Sequence, residues 1–156
     1  MLEGGTNPSI SFATDSYLVS YGSKTSAIGI PCQLPTNCVI TAKVKVNGGN
    51  VGLGVSKGTG YGDGFVLGPN VLATYRYSNN AWQSSFYSTT NISATVSNYN
   101  ELTIEKTGQS VVIKLNGNTI TNKTLQFSNS DTLYPLIVMS GNAGRGNIKE
   151  ITIKPL

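Results

Sequence analysis

Residues 99–121 constrain the fold of this chain more than any other stretch. They run Tyr99-Asn100-Glu101-Leu102-Thr103-Ile104-Glu105-Lys106-Thr107-Gly108-Gln109-Ser110-Val111-Val112-Ile113-Lys114-Leu115-Asn116-Gly117-Asn118-Thr119-Ile120-Thr121. Apolar and polar residues alternate, a turn containing Gly108 intervenes, alternation resumes, and Asn116-Gly117 closes the second strand. A period of two belongs to a strand with unlike faces, because successive side chains point to opposite sides of a sheet. Asn-Gly between alternating segments is the strongest short-range hairpin signal, since both residues tolerate positive φ. The register of this region can therefore be read directly.

The rest of the chain extends the pattern. Its 156 residues are enough for one domain with a two-layer core. β-branched and turn residues are plentiful, helix formers are few, and no segment sustains helical periodicity, which predicts an all-β chain. The expected strands are 10–13, 17–21, 27–31, 38–46, 50–55, 64–67, 71–77, 82–87, 94–96, 100–106, 110–115, 118–121, 133–139 and 146–153. Asn47-Gly48-Gly49-Asn50 and Ser78-Asn79-Asn80-Ala81 read as hairpin turns. Many short strands at even spacing indicate a sandwich or barrel. Residues 1–8 read as a short linker or the start of an excised module, and 9–156 as a single domain. No basic region followed by an apolar core opens the chain, as a signal peptide would need. No apolar run is long enough to cross a membrane as a helix.

Charge narrows the partners. The net charge is +4 with only 12% charged residues. Lys43 and Lys45 alternate with Ala42, Val44 and Val46 and so belong to the solvated face of one strand. No Lys/Arg cluster reaches the density of a nucleic-acid patch, so neither nucleic acid nor membrane insertion is expected. Cys32 and Cys38 are close in sequence and there is no histidine. A zinc site would lack ligands. A Cys32–Cys38 disulfide closing a small loop, which would suit an extracellular setting, and two reduced thiols both fit.

The order of elements carries a resemblance. Ile40-Thr41-Ala42-Lys43-Val44-Lys45-Val46 leads to Asn50-Val51-Gly52-Leu53-Gly54-Val55, then to Tyr61-Gly62-Asp63-Gly64-Phe65-Val66-Leu67-Gly68. An aromatic hairpin follows, Thr74-Tyr75-Arg76-Tyr77-Ser78-Asn79-Asn80-Ala81-Trp82-Gln83. Glu101-Leu102-Thr103-Ile104-Glu105-Lys106 then runs into Val111-Val112-Ile113-Lys114-Leu115-Asn116-Gly117, and Gly146-Asn147-Ile148-Lys149-Glu150-Ile151-Thr152-Ile153 ends the series. Over roughly residues 38–154 this resembles the concanavalin A-like lectin/glucanase jelly roll, in its laminin-G-like and carbohydrate-binding-module branches. The resemblance implies a jelly-roll sandwich of two antiparallel sheets, one concave, with the final strand beside the first. Two positions depart from the family pattern. Tyr99-Asn100 stands where the family often has Trp, and Gly146-Asn147 where it often has Phe-Asp, which weakens any inference of calcium.

Catalysis finds little support in the residues. Glycoside hydrolysis needs two carboxylates about 5 Å apart for retention or about 6.5–9.5 Å for inversion. The glucanase branch carries Glu-x-Asp-x-x-Glu on one strand. Here the seven carboxylates are Glu3, Asp15, Asp63, Glu101, Glu105, Asp131 and Glu150, and no two lie at i, i+2. Glu101 and Glu105 share a strand face about 13 Å apart. Without histidine there is no Ser/His triad.

Sugar binding fits better. Residues 61–87 hold Tyr61, Phe65, Tyr75, Tyr77, Trp82, Phe86 and Tyr87, seven of the chain's thirteen aromatic residues, interleaved with Asp63, Arg76, Asn79, Asn80 and Gln83. Aromatic faces accept the C–H face of a pyranose, and polar side chains bond its hydroxyls. Val71, Ala73, Tyr75 and Tyr77 share one face of their strand, and Leu72, Thr74 and Arg76 the other. One of these faces is core, and alternation alone does not say which. Phe65 and Phe86 are expected in the core. The candidate site is Tyr61, Asp63, Tyr75, Arg76, Tyr77, Asn80, Trp82, Gln83 and Tyr87, with Arg145 as a reach toward an anionic group. The Gly-rich loop at Tyr61-Gly62-Asp63-Gly64 reads as a turn or as the rim of a groove, with Asp63 accepting from hydroxyls or ligating calcium. Asn91-Ile92-Ser93 and Asn122-Lys123-Thr124 match the glycosylation pattern, which arises easily by chance here.

The expectation is a non-catalytic carbohydrate-binding domain that recognises a cell-surface glycan and needs no cofactor. By the resemblance it would belong to a phage tail or baseplate protein or a microbial adhesin, outside the cell or on a virion, as one module of a larger oligomer. The alternative is a structural or protein-interaction jelly roll.

Overall fold

The computed structural model describes residues 6–11, 16–21, 26–47, 49–58, 60–93, 98–140 and 145–156. The strands in chain order are β1 (Thr6–Ser11), β2 (Ser16–Tyr21), β3 (Ser26–Gly29), β4 (Asn37–Asn47), β5 (Asn50–Gly58), β6 (Tyr61–Gly68) and β7 (Val71–Ser78). They continue with β8 (Ala81–Trp82), β9 (Ser88–Asn91), β10 (Asn100–Thr107), β11 (Ser110–Leu115), β12 (Asn118–Thr124), β13 (Tyr134–Ser140) and β14 (Arg145–Pro155). Sheet I has the order β1-β2-β14-β4-β10-β11-β12, and sheet II the order β3-β13-β5-β6-β7-β8, with β9 also paired to β7. The paired strands in both sheets run antiparallel. This is the expected two-sheet jelly roll, and β14 lies beside β4 as the resemblance implied.

The hairpins at 99–121 form as read. Thr107 pairs with Ser110 around Gly108 (φ 58), and Leu115 pairs with Asn118 around Asn116 (φ 51) and Gly117 (φ 83). Both residues of the second turn have positive φ, the geometry whose twist matches that of the strands. Ser78 and Ala81 close a third turn of this kind, with Asn79 at φ 51 and Asn80 at φ 64. The turn expected at 47–50 differs: β4 lies in sheet I and β5 in sheet II, so the chain crosses between sheets there. Local turn chemistry reports a reversal but not which sheet the next strand joins. β1 opens at Thr6, inside the stretch read as linker, and β8 is two residues long where a strand to Tyr87 was expected. The strand expected at 94–96 lies outside the described residues.

The core lies between the sheets. Sheet I contributes Ile40, Ala42, Val44, Leu102, Ile104, Ile113 and Ile148, and sheet II contributes Val51, Leu53, Val55, Phe65, Leu67 and Leu72. Phe65 is buried as expected, and Phe86 joins the same layer. Full burial of such a side chain stabilises by roughly 1.5–3 kcal/mol. An exposed ion pair contributes at most about 1 kcal/mol. The inter-sheet layer therefore holds the sandwich together.

The cysteines are both free. Cys38 is fully buried within the inter-sheet layer and Cys32 is exposed. The disulfide alternative is thus not formed, because β4 turns Cys38 inward while Cys32 stays at the surface. Burial raises the Cys38 pKa, and the neighbouring Lys106 pulls it partly back. Lys106 sits opposite Cys38 in the β4–β10 register, is itself buried, and donates from Nζ to the Thr36 carbonyl at 2.6 Å.

Candidate functional site

Strand β7 decides the site, because its neighbours settle which of its faces is core. Leu72 pairs with Leu67, Thr74 with Phe65 and Arg76 with Asp63. Phe65, Leu67 and Leu72 belong to the inter-sheet layer, so this face points inward. Ala73, Tyr75 and Tyr77 therefore point away from sheet I, opposite Val66, Gly64 and Gly62. The two glycines give the tyrosine rings no side chain to oppose them. Tyr77 packs into an outward-facing cluster with Ala27, Val66, Leu136 and Val138, and Tyr75 lies against it.

The outward rings continue toward the edge of sheet II. Trp82 pairs with Tyr77 across the Asn79-Asn80 turn. Tyr87 lies 5.4 Å from Tyr75 and 6.0 Å from Trp82, centroid to centroid, in tilted and edge-on contacts. Both separations fall in the range in which aromatic pairs attract beyond simple burial. Trp82 is 51% exposed and Tyr87 42%, whereas Tyr77 is only 9% exposed. Tyr75, Tyr87 and Trp82 thus form a platform whose outer part is open. Tyr77 is its buried root.

The remaining expected site residues are placed differently. Asp63 is fully buried, not the rim acceptor that the sequence suggested. Arg76 grips it with Nε at 2.7 Å and Nη2 at 2.9 Å, and Gln126 donates to it from Nε2 at 3.0 Å and from its backbone N–H at 3.1 Å. Its lone pairs are spent on protein donors, leaving none for a sugar hydroxyl or a calcium ion. Arg76 is likewise engaged. Beyond Asp63 it donates to the Thr124 carbonyl at 2.8 Å and lies 3.9 Å from the centre of the Phe86 ring. Tyr61 packs against the inter-sheet layer with Lys57 Nζ 4.8 Å from its ring centre. Gln83 turns back to the Ala81 carbonyl at 3.1 Å. Asn80 is exposed at the turn preceding Trp82. Arg145 opens β14 in the other sheet, opposite Val19.

Three contributors escaped the sequence reading. Gln126 ties Asp63 to the Tyr77 carbonyl at 2.9 Å and accepts from Ser78 Oγ at 2.5 Å. Thr74 Oγ1 donates to the Phe86 carbonyl at 2.9 Å and accepts from the Ser88 N–H at 3.1 Å. Tyr134, 36% exposed, borders a cavity of about 240 Å³ at the far side of sheet II, with Ile30, Pro31, Ser56 and Leu136. Gln126 lies in an irregular segment with no periodicity, so no local signal marked it.

Chemically, the platform offers apolar ring faces without a reactive pair beside them. Asp63 is the only carboxylate in the strands of sheet II, and it is neutralised by Arg76. Glu101 and Glu105 lie on β10 in sheet I, and Glu105 accepts from Lys114 Nζ at 2.6 Å. Among the described residues no three His, Cys, Asp or Glu side chains come together to hold a metal.

No family model and no curated protein sequence matches the chain. Solved structures do match. The carbohydrate-binding module CBM66 from Bacillus subtilis superposes with a TM-score of 0.66 at 11% identity, over 96% of this chain and 93% of that one. A toad ovary galectin in complex with thio-digalactose gives 0.61 at 14% identity, over 85% and 100%. A Bacteroides ovatus mixed-linkage glucan GH16 protein in complex with a product gives 0.63 at 11% identity, over 94% and 84%. Identities this low speak to architecture alone, and the architecture is one that these proteins share. The chain has the concanavalin A-like jelly-roll fold.

Proposed function

We propose that this protein is a non-catalytic carbohydrate-binding domain whose site is the Tyr75–Tyr87–Trp82 platform on the outward face of sheet II. One observation carries the reading. Two half-exposed aromatic rings, Trp82 and Tyr87, meet edge-on, and Tyr87 in turn tilts against Tyr75, on the side of the sheet turned away from the core. Exposed rings are ordinarily costly, and a cluster of them at a surface marks a contact site. Trp82 and Tyr87 would take the C–H faces of sugar rings, with Asn80 and backbone groups of the 79–83 turn bonding hydroxyls. The structural neighbours, a carbohydrate-binding module and galectins among them, support the same class of ligand. The saturated Asp63 supports a site without acid–base catalysis. A shallow platform gives weak affinity per site, which several copies on one oligomer would raise. That economy suits a phage tail or baseplate protein, or an adhesin, acting on a cell-surface glycan outside the cell.

The test is a glycan array that includes bacterial and archaeal wall polysaccharides, probed with the domain in monovalent and multivalent form, with and without calcium. Binding is expected, and Trp82→Ala should weaken it by about tenfold or more, equivalent to at least about 1.4 kcal/mol. Its thermal transition should stay close to wild type, because the ring is half exposed. Binding that survives both Trp82→Ala and Tyr87→Ala would move the site elsewhere. Absence of binding in multivalent form would favour the structural or protein-interaction module.

A further inference from the structure

We infer that Arg76 and Thr74, on the inward face of β7, are positioning residues that set the platform rings on its outward face. The coupling runs through the segment between β8 and β9. Thr74 Oγ1 holds both ends of Phe86-Tyr87-Ser88, donating to the Phe86 carbonyl at 2.9 Å and accepting from the Ser88 N–H at 3.1 Å. The Arg76 guanidinium lies 3.9 Å from the centre of the Phe86 ring, and Lys123 Nζ lies 5.3 Å from the same centre. The Arg76 carbonyl accepts from the Gln83 N–H at 2.9 Å, at the other end of the segment. The segment that carries Tyr87 is therefore fastened at Gln83, Phe86 and Ser88 to two consecutive inward residues of one strand. The outward residue between them, Tyr75, is the ring that Tyr87 meets.

The anchors are rigid in their turn. Arg76 is fixed by the fork on buried Asp63 and by the Thr124 carbonyl of β12, so it also ties the segment to the border of sheet I. A planar fork that bonds a carboxylate and stacks on a ring cannot be replaced by a lysine, whose ammonium is a single flexible point. A site of half-exposed rings needs such support, because rings left to reorient would lose entropy on binding. The consequence for affinity rests on the glycan-binding reading above. The positional coupling does not.

The experiment needs no ligand. Trp82 is the only tryptophan of the chain, so its emission, its near-ultraviolet circular dichroism and its quenching by acrylamide report one place. Arg76→Lys, Thr74→Val and Phe86→Leu are compared with wild type and with Lys114→Ala in sheet I, each well below its own thermal transition. Arg76→Lys is expected to keep far-ultraviolet strand signal, lose the near-ultraviolet band of Trp82, shift its emission to the red and raise its quenching. Thr74→Val and Phe86→Leu should do the same to a smaller degree, and Lys114→Ala not at all. Should Arg76→Lys fail to fold, the other two variants carry the test. Folded variants with wild-type Trp82 signals would overturn the coupling. The array decides separately whether the platform binds glycans, so each reading fails by its own measurement.

Discussion

The two outward faces of this sandwich differ sharply. Sheet I presents Lys43, Lys45, Glu101, Glu105, Lys114 and Lys149 to solvent, paired as Lys43–Glu150 at 2.8 Å and Lys114–Glu105 at 2.6 Å, with Lys45 and Lys149 over the Tyr99 ring. Sheet II presents Gly52, Gly54, Gly64, Val66, Val138 and Tyr77, all buried, and its large exposed apolar side chains are Tyr134, Tyr87 and Trp82. β11 accordingly reads as a strict alternation of burial, while β6 is buried at seven consecutive positions. Alternation reveals the faces of a strand only where one of them meets water. Sheet I is such a sheet. Sheet II is packed on both sides over most of its area, so its exposed rings stand out as an exception within it.

The contrast can be broken by experiment. If the outward face of sheet II is packed like an interior, a single methyl group there should cost more than an ion pair on sheet I. A Cβ at Gly52 would fall 1.9 Å from the Phe65 carbonyl oxygen and 2.7 Å from Val66 Cα, both backbone atoms that cannot swing aside. Gly52→Ala should therefore destabilise by about 3 kcal/mol, read by urea unfolding. A loss below that of an ordinary surface change would mean that β6 can move away from β5 at this point.

A second measurement sharpens the layer between the faces. Burial lowers the Lys106 pKa below the usual 10.5, only partly offset by Cys38. The unfolded chain then holds this proton more tightly than the folded one, so stability gains as pH rises through the folded pKa toward 10.5. Cys38 works the other way: its raised pKa makes the folded state the tighter proton holder, so stability falls as pH rises above about 9. In a Cys38→Ala background the gain from Lys106 should stand alone, and adding Lys106→Met should flatten it. An unchanged slope would show that Lys106 is solvated in the folded protein. The smallest effect belongs to sheet I. Lys114→Ala should cost about 0.2–1 kcal/mol, less at high salt, because both partners are partly exposed.

Legibility followed the same division. The hairpins of β10, β11 and β12 were readable residue by residue, since Asn116-Gly117 and the alternation around it name both turn and register. The region rich in aromatics was readable as a site candidate, but its members were not separable. Asp63 and Arg76 look like sugar contacts in a string of letters and are a buried ion pair in space. Trp82 and Phe86 lie four residues apart with similar surroundings in sequence. One is half exposed and the other is packed between a guanidinium and the core.

What the sequence determined by itself was the strand class, the positions of the tight turns and the local register, because turn dihedrals and period-two patterning act over a few neighbouring residues. It also put Tyr75 and Tyr77 on one side of β7 and Arg76 on the other. Only the tertiary structure decided which side faced sheet I, that the chain crossed sheets after β4, and that Gln126 and Thr124 reached back to Asp63 and Arg76. Those outcomes depend on contacts between residues dozens of positions apart, and which long-range face wins burial is settled by the sum of the packing, not by any local pattern.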